Sequence, residues 1–260
     1  MRMNRSELME RMPGFMVLWY RKAKRFMSTR RGASRDPQKT FSGIYTNKSW
    51  GSAYSEEFCS GSGSISEEIT KNYIKEIKTD LEKLKLLHCT MVDLGCGDFR
   101  VGYQLAPFAK SYKGVDVVPA LIQHLQNSHT VDNVEFDLCD LVNGDPPEGD
   151  IAFLRQVLQH LSNEQVIKIL PKLNKYKVSY ITEHLPAIES SHPNLNKVTG
   201  ENIRLSFGSG IYLDKAPFNI PREKLQVVFE CKGHSMGGGI EAGIIRTYRY
   251  TPNLPVDLFQ

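Results

Sequence analysis

No two of the five cysteines in this 260-residue chain stand as Cys-x-x-Cys, and their number is odd. Cys59, Cys89, Cys96, Cys139 and Cys231 are scattered, so neither a zinc site nor a disulfide framework is indicated, and a reducing, cytoplasmic setting is expected. No apolar run approaches the ~20 residues that a spanning helix needs. Internal repeats are absent. The body of the chain also lacks a basic stripe. Residues 1–40 hold eleven Lys/Arg against three Asp/Glu, an excess of eight, which leaves −4 of the net +4 for the remainder. A polyanion such as nucleic acid is therefore not the expected partner of the body.

What is present is an ordinary globular composition, 40% hydrophobic and 24% charged, long enough for one α/β domain with appendages. The basic arm, residues 1–40, has a short helical start, the apolar stretch Gly14–Tyr20 and a basic run from Arg21 to Arg35. A signal peptide is not expected: the apolar stretch is short, charges follow it directly, and no small-residue cleavage site appears. Two readings stay open. The arm is an amphipathic, basic helix making peripheral contact with an anionic surface such as the inner membrane face, or with a partner protein. Alternatively it is a solvated arm with one helix packed on the domain.

Residues 41–65 read as a Gly/Ser-rich loop, from Phe41 through Ser60-Gly61-Ser62-Gly63-Ser64. A mere linker has no need of aromatics, so Tyr45 and Trp50 suggest a lid, with core anchoring as the competing role. From residue 66 the domain proper begins. Ile69, Tyr73, Ile77, Leu81 and Leu84 recur at helical spacing over about 66–87. Strands then alternate with helices. The strands are Thr90–Leu94, Ser111–Val115, Val134–Asp137, Ile151–Leu154 and Val178–Glu183; the helices are about 101–108, 119–127 and 162–174. Pro119 suits a first helical turn, and Ser162 with Gln165 spells a capping box. Such alternation predicts a doubly wound α/β domain with a mostly parallel sheet. Leu225–Cys231 and Ile240–Tyr250, joined by the glycine-rich segment 233–239, predict an antiparallel C-terminal hairpin.

Ligands of open α/β sheets bind outside the carboxyl ends of the strands. At those ends lie the turn Gly95-Cys96-Gly97, then Asp116 with Val117, then Asp140 with Leu141, then Arg155 and Gln156. Asp116 follows Gly95 by twenty-one residues, the separation at which a carboxylate reaches both hydroxyls of a ribose. Asp140 is placed for an adenine amino group. A dinucleotide fits poorly, because the third glycine of Gly-x-Gly-x-x-Gly is missing and Asp98 would repel a pyrophosphate. Asp93, before the glycines, suits a cofactor with a positive amino group.

Val92-Asp93-Leu94-Gly95-Cys96-Gly97, Gly114-Val115-Asp116, Phe136–Asp140 and Asp150-Ile151 through His160-Leu161 together resemble the successive motifs of class I S-adenosylmethionine-dependent methyltransferases. The resemblance covers roughly residues 60–183. It implies a seven-stranded Rossmann-like sheet and S-adenosyl-L-methionine as cofactor, with Asp93, Gly95, Cys96 and Gly97 around the methionine part, Asp116 at the ribose, and Asp140 and Leu141 at the adenine. Phe99 departs from the pattern, standing where many members keep a small residue. A narrower similarity rests on Ile44-Tyr45, Trp50-Gly51, Ser60–Ser64 and Ala216–Pro221, which resemble bacterial methyltransferases of surface glycans. It implies O-methylation of a sugar, glycan or related small-molecule hydroxyl.

A hydroxyl needs a general base, and Glu183, His184 and His160 are the candidates. The connection 186–222 is long for an α/β fold. It supplies Arg204 and Tyr212, which with Tyr45 and Trp50 are the candidate substrate contacts. His192 and His234 lie in loops without ligand spacing, so no metal is expected. Competing functions are an RNA or protein methyltransferase that uses the basic arm, and a non-catalytic cofactor-binding regulator.

Overall fold

The computed structural model describes residues 34–51, 58–61, 66–129, 131–190, 192–233 and 242–253. Most of the basic arm with its expected helix, Ser62–Ser64, most of the glycine-rich turn before the last strand, and His234 lie outside these residues.

Seven strands form one sheet: β1 Thr90–Leu94, β2 Ser111–Asp116, β3 Val134–Leu138, β4 Ile151–Arg155, β5 Val178–Leu185, β6 Leu225–Lys232 and β7 Ile244–Tyr250. Their order is β3-β2-β1-β4-β5-β7-β6. The first five are parallel to one another, and β7 runs antiparallel to both β5 and β6. The mostly parallel sheet with its antiparallel hairpin is thus as the sequence pattern predicts.

Successive residues feed opposite faces. Met91, Phe153 and Tyr180 enter one hydrophobic cluster; their neighbours Val92, Leu154 and Ile181 enter the other. Each face needs a cover, and the helices supply it. Helix α2, Glu67–Lys83, offers Ile69, Tyr73, Ile77 and Leu81 to the first cluster. Helix α4, Pro119–Ser128, adds Leu121, Ile122 and Leu125 there. On the second face lie Val166 and Ile169 of helix α5, Asn163–Ile169. Every residue of β5 is buried, as a strand covered on both faces must be.

Helix α2 stops at Lys83 and β7 starts at Ile244, each about four residues inside its expected bound, and three larger differences stand beside these. Phe41–Thr46 is not loop but the second half of helix α1, Pro37–Thr46, started by Asp36, whose Oδ1 accepts from Lys39 N at 2.6 Å. This helix runs across residue 40, and Ser34 and Arg35 before it are tied to α5: Ser34 Oγ donates to Glu164 Oε2 at 2.8 Å, and Gln165 Nε2 donates to Arg35 O at 2.8 Å. The helix expected over 101–108 is only α3, Gly102–Leu105, followed by a 3₁₀ turn Ala106–Phe108. Helix α5 ends at Ile169 and gives way to 3₁₀ geometry over Leu170–Lys175, because Pro171 has no N–H to continue an α-helix.

Candidate functional site

The loop after β1 is built by close approach. Gly95 and Cys96 both donate their N–H to Val115 O, at 2.8 and 2.9 Å, which turns the chain sharply at the strand end. Gly95 has φ +83°, and a Cβ there would stand 2.6 Å from Val157 Cγ2. Gly97 has φ +54°, and a Cβ there would collide with Ser60 Oγ. Ser60 and Asp98 clasp each other: Asp98 N donates to Ser60 Oγ at 2.6 Å and Ser60 N donates to Asp98 Oδ2 at 3.0 Å. The Tyr45 hydroxyl joins Ser60 Oγ at 3.0 Å. Segment 58–61 is thereby strapped over the glycine loop.

Phe99 does not intrude on this loop. Its backbone is left-handed (φ +60°) and its ring is fully buried against Phe136 and Tyr112, at centroid distances of 4.7 and 5.7 Å. The small residue reappears at Gly102, where a Cβ would meet the Phe99 ring at 2.5 Å and Asp93 Oδ2 at 2.9 Å.

These elements surround a cavity of about 1110 Å³, mouth included. Asp93, Asp98, Asp116 and Asp140 line it against a single guanidinium, Arg155. Desolvation makes these charges costly. Burial pushes the Asp93 carboxyl up to about 7, although the Tyr112 hydroxyl donates to its Oδ2 at 3.0 Å and Arg155 lies near. Burial also raises Asp116, against the pull of backbone N–H groups. Gly97 N and Val118 N donate to its two oxygens at 3.2 and 3.1 Å, leaving further lone pairs on both. Asp140 caps its own turn, accepting from Val142 N at 2.8 Å and from Asn143 Nδ2 at 2.7 Å. Arg155 stacks over the Tyr73 ring at 5.3 Å.

The other wall is aromatic. Phe41, Tyr45, Trp50 and His160 line the cavity, with the His160 ring 5.1 Å from Trp50 and 6.3 Å, edge-on, from Phe41. His160 Nδ1 is 3.2 Å from Gly200 O, which can only accept, so Nδ1 carries the proton and Nε2 the lone pair, which faces the Gln159 amide nitrogen at 3.4 Å. Burial, with Lys197 and Arg204 nearby, lowers its pKa to about 3, so the ring is neutral.

All nine residues expected at the cofactor line this cavity: Asp93, Gly95, Cys96, Gly97, Asp116, Val117, Asp140, Leu141 and Arg155. So do Tyr45, Trp50 and His160. Four others are not among its lining residues. Glu183 is fully buried and accepts from Leu158 N at 3.2 Å. His184, on the opposite face of β5, sits 2.6 Å from Ala242 O beside the hairpin. Arg204 is fully buried and spends its guanidinium on backbone carbonyls and Asn163. The Tyr212 hydroxyl accepts from Ser190 N at 3.1 Å. Position at a strand end or in a long loop did not put these side chains on the cavity, because the strand pleat and the loop's own packing turned them elsewhere. Sequence reasoning in turn missed Phe41, Ser60, Tyr73 and Val157 as lining residues. Helical spacing gave a signal for Phe41, four residues before Tyr45; Val157 had none. No cluster of three metal-ligating side chains occurs among the described residues.

No family model and no curated protein matches this sequence. Among solved structures, the N-methyltransferase NodS from Bradyrhizobium japonicum WM9 is similar with a TM-score of 0.50 at 14% identity, over 72% of this chain and 99% of that one. The same protein in complex with S-adenosyl-L-homocysteine gives 0.45 at 15% identity, over 72% and 92%. A dimethyladenosine transferase from Plasmodium falciparum gives 0.45 at 13% identity, over 70% and 61%. At such identities the likeness is one of fold: the chain has the Rossmann-like fold of class I methyltransferases.

Proposed function

We propose that this chain is an S-adenosyl-L-methionine-dependent methyltransferase acting on a hydroxyl of a sugar, glycan or related small molecule. The observation that carries the cofactor reading is the lining of the cavity, four carboxylates to one guanidinium at the carboxyl ends of β1, β2, β3 and β4. That donor set repels a pyrophosphate and suits a ligand carrying a sulfonium and an ammonium. Asp93 would hold the ammonium, Arg155 the carboxylate, Asp116 the ribose hydroxyls, and the Asp140–Val142 turn the adenine. When bound, the cofactor supplies an electrophilic methyl group on sulfur. The protein's task is to orient the acceptor and exclude water.

The aromatic wall favours a flat, uncharged acceptor face, and one cation among the lining residues argues against a phosphorylated or polyanionic one. His160 takes the acceptor side. With Nδ1 held by Gly200, Nε2, which the Gln159 amide approaches at 3.4 Å, would exchange that partner for the acceptor hydroxyl, accepting its hydrogen bond and aiming an oxygen lone pair. A nitrogen that protonates only near pH 3 is a weak base, so its contribution is orientation more than proton removal. The basic arm then serves peripheral contact with an anionic surface or a partner, and not acceptor capture.

Calorimetry with S-adenosyl-L-homocysteine tests the cofactor, with NAD as the control that should not bind. Transfer of a labelled methyl group to mono- and oligosaccharides, RNA and protein tests the acceptor. Labelled RNA or protein with unlabelled sugars would overturn the acceptor reading. His160→Gln should lower kcat about 10–100-fold with S-adenosyl-L-homocysteine affinity unchanged.

A further inference from the structure

Between β5 and β6 the chain makes a long loop whose buried ionisable side chains converge on one short turn. Arg204 is fully buried, and none of its four hydrogen bonds goes to a carboxylate. Nη1 donates to Leu158 O at 3.0 Å, Nη2 to Leu161 O at 2.8 Å and to Asn163 Oδ1 at 2.7 Å, and Nε to Leu195 O at 3.1 Å. Lys197, 2% exposed, donates Nζ to His160 O at 2.8 Å. Glu183, from β5, accepts the N–H of Leu158. Gly200 pairs with His160 twice: its N–H donates to His160 O at 3.0 Å, and its carbonyl accepts from the ring. Three desolvated ionisable side chains thus hold the backbone of Leu158–Leu161 on both its donor and acceptor sides.

We propose that Arg204, Lys197 and Glu183 are positioning residues for His160, locking the turn so that the ring meets the cavity in one tautomer and one orientation. Burying such groups is expensive, and a small turn could be closed by apolar packing alone. The direction of each perturbation agrees: burial lowers Lys197 to about 6 and Arg204 to about 10, and raises Glu183 to about 8. The loop that carries Arg204 is then a strut behind the cavity wall. What the oriented ring does to the acceptor rests on the function proposed above; its orientation does not.

The test uses Lys197→Met, similar in volume, and Arg204→Lys, which keeps the charge but loses the planar fork. Nitrogen chemical shifts of His160 by NMR need neither cofactor nor acceptor. The native protein should show a neutral ring protonated at Nδ1 that does not titrate between about pH 5 and 8. In folded K197M the ring should populate the second tautomer or begin to titrate in that window. Its kcat should fall about fivefold or more, with KM and S-adenosyl-L-homocysteine affinity within about twofold. If R204K does not fold, K197M carries the test. Folded K197M with native His160 shifts overturns the proposal, whatever happens to its melting temperature. A shifted ring in a protein that methylates no sugar would sink the acceptor reading and leave the positioning role standing.

Discussion

Asp93 is the side chain whose protonation a cationic ligand has to settle. Its buried carboxyl is raised to about 7, so at neutral pH it is divided between neutral and charged forms. An ammonium group binds the charged form, and below pH 7 each unit of acidification must first remove a proton. Affinity for S-adenosyl-L-homocysteine should therefore weaken up to about tenfold per pH unit below 7 and level off above it. Asp93→Asn should bind more weakly and lose this dependence; calorimetry across pH 5.5–8.5 measures both. Gly97 gives a second expectation at this scale. Its Cβ would collide with Ser60 Oγ at a left-handed backbone position, so Gly97→Ala should lose both the strap and the ligand, with affinity down about tenfold or more. Adding Ser60→Gly should recover part of that loss; no recovery would mean that backbone strain alone is responsible.

Among the elements, α5 shows how a local signal and a tertiary contact share the same atoms. Ser162 Oγ accepts from Gln165 N at 3.3 Å, and Gln165 Oε1 accepts from Ser162 N at 3.2 Å, the capping box that the spacing predicts. Ser34 Oγ adds a third partner at 2.9 Å. Ser162→Ala should cost about 1 kcal/mol and lower Tm by about 2–4 °C, read by thermal unfolding. The turn after β3 is held differently. Lys172 donates Nζ to the carbonyls of Leu141, Val142 and Gly144. Lys172→Met should weaken the Asp140 side of the cavity more than the aromatic side, seen as lower S-adenosyl-L-homocysteine affinity with His160 shifts unchanged. Nothing in the spacing of residue 172 announces this role, since the partner carbonyls are some thirty residues away and carry no side-chain signature.

For the whole molecule, the buried titratable groups pull stability in two directions with pH. His160 is lowered to about 3 from an ordinary value near 6.5, so between those values the unfolded chain binds more protons and stability falls as pH falls. Lys197, lowered to about 6, acts in the same sense from its ordinary 10.5 down to 6. Glu183, raised from 4.5 to about 8, and Asp93, raised from 3.8 to about 7, act oppositely: the folded state keeps protons the unfolded chain has lost, so stability falls as pH rises through those windows. His160→Gln removes one acid-side contribution. Urea midpoints should then fall less steeply than in the native protein between about pH 6.5 and 4, where one such group contributes up to about 1.4 kcal/mol per pH unit. A slope identical to the native one would show that the ring is not held neutral.

The alternation of apolar runs and helical spacings determined the parallel sheet, and Gly95, Gly97, Asp116 and Asp140 at strand ends determined the mouth of the cavity. Both are local consequences: strand and helix periods are set by the backbone, and in such a sheet ligands meet the carboxyl ends wherever those residues fall. Only the tertiary structure decided which side chains face that space. Glu183 and His184 are adjacent in sequence, yet the pleat sends them to opposite faces of β5, and neither lines the cavity. Arg204, expected at the substrate, is instead buried with Lys197 behind the wall, where Lys197 holds the carbonyl of His160 and Arg204 those of Leu158 and Leu161. Phe99, at odds with the glycine pattern, found room because β2 and β3 supply Tyr112 and Phe136 to receive its ring. Direction and burial of a side chain depend on partners distant along the chain, and that information is not local to any motif.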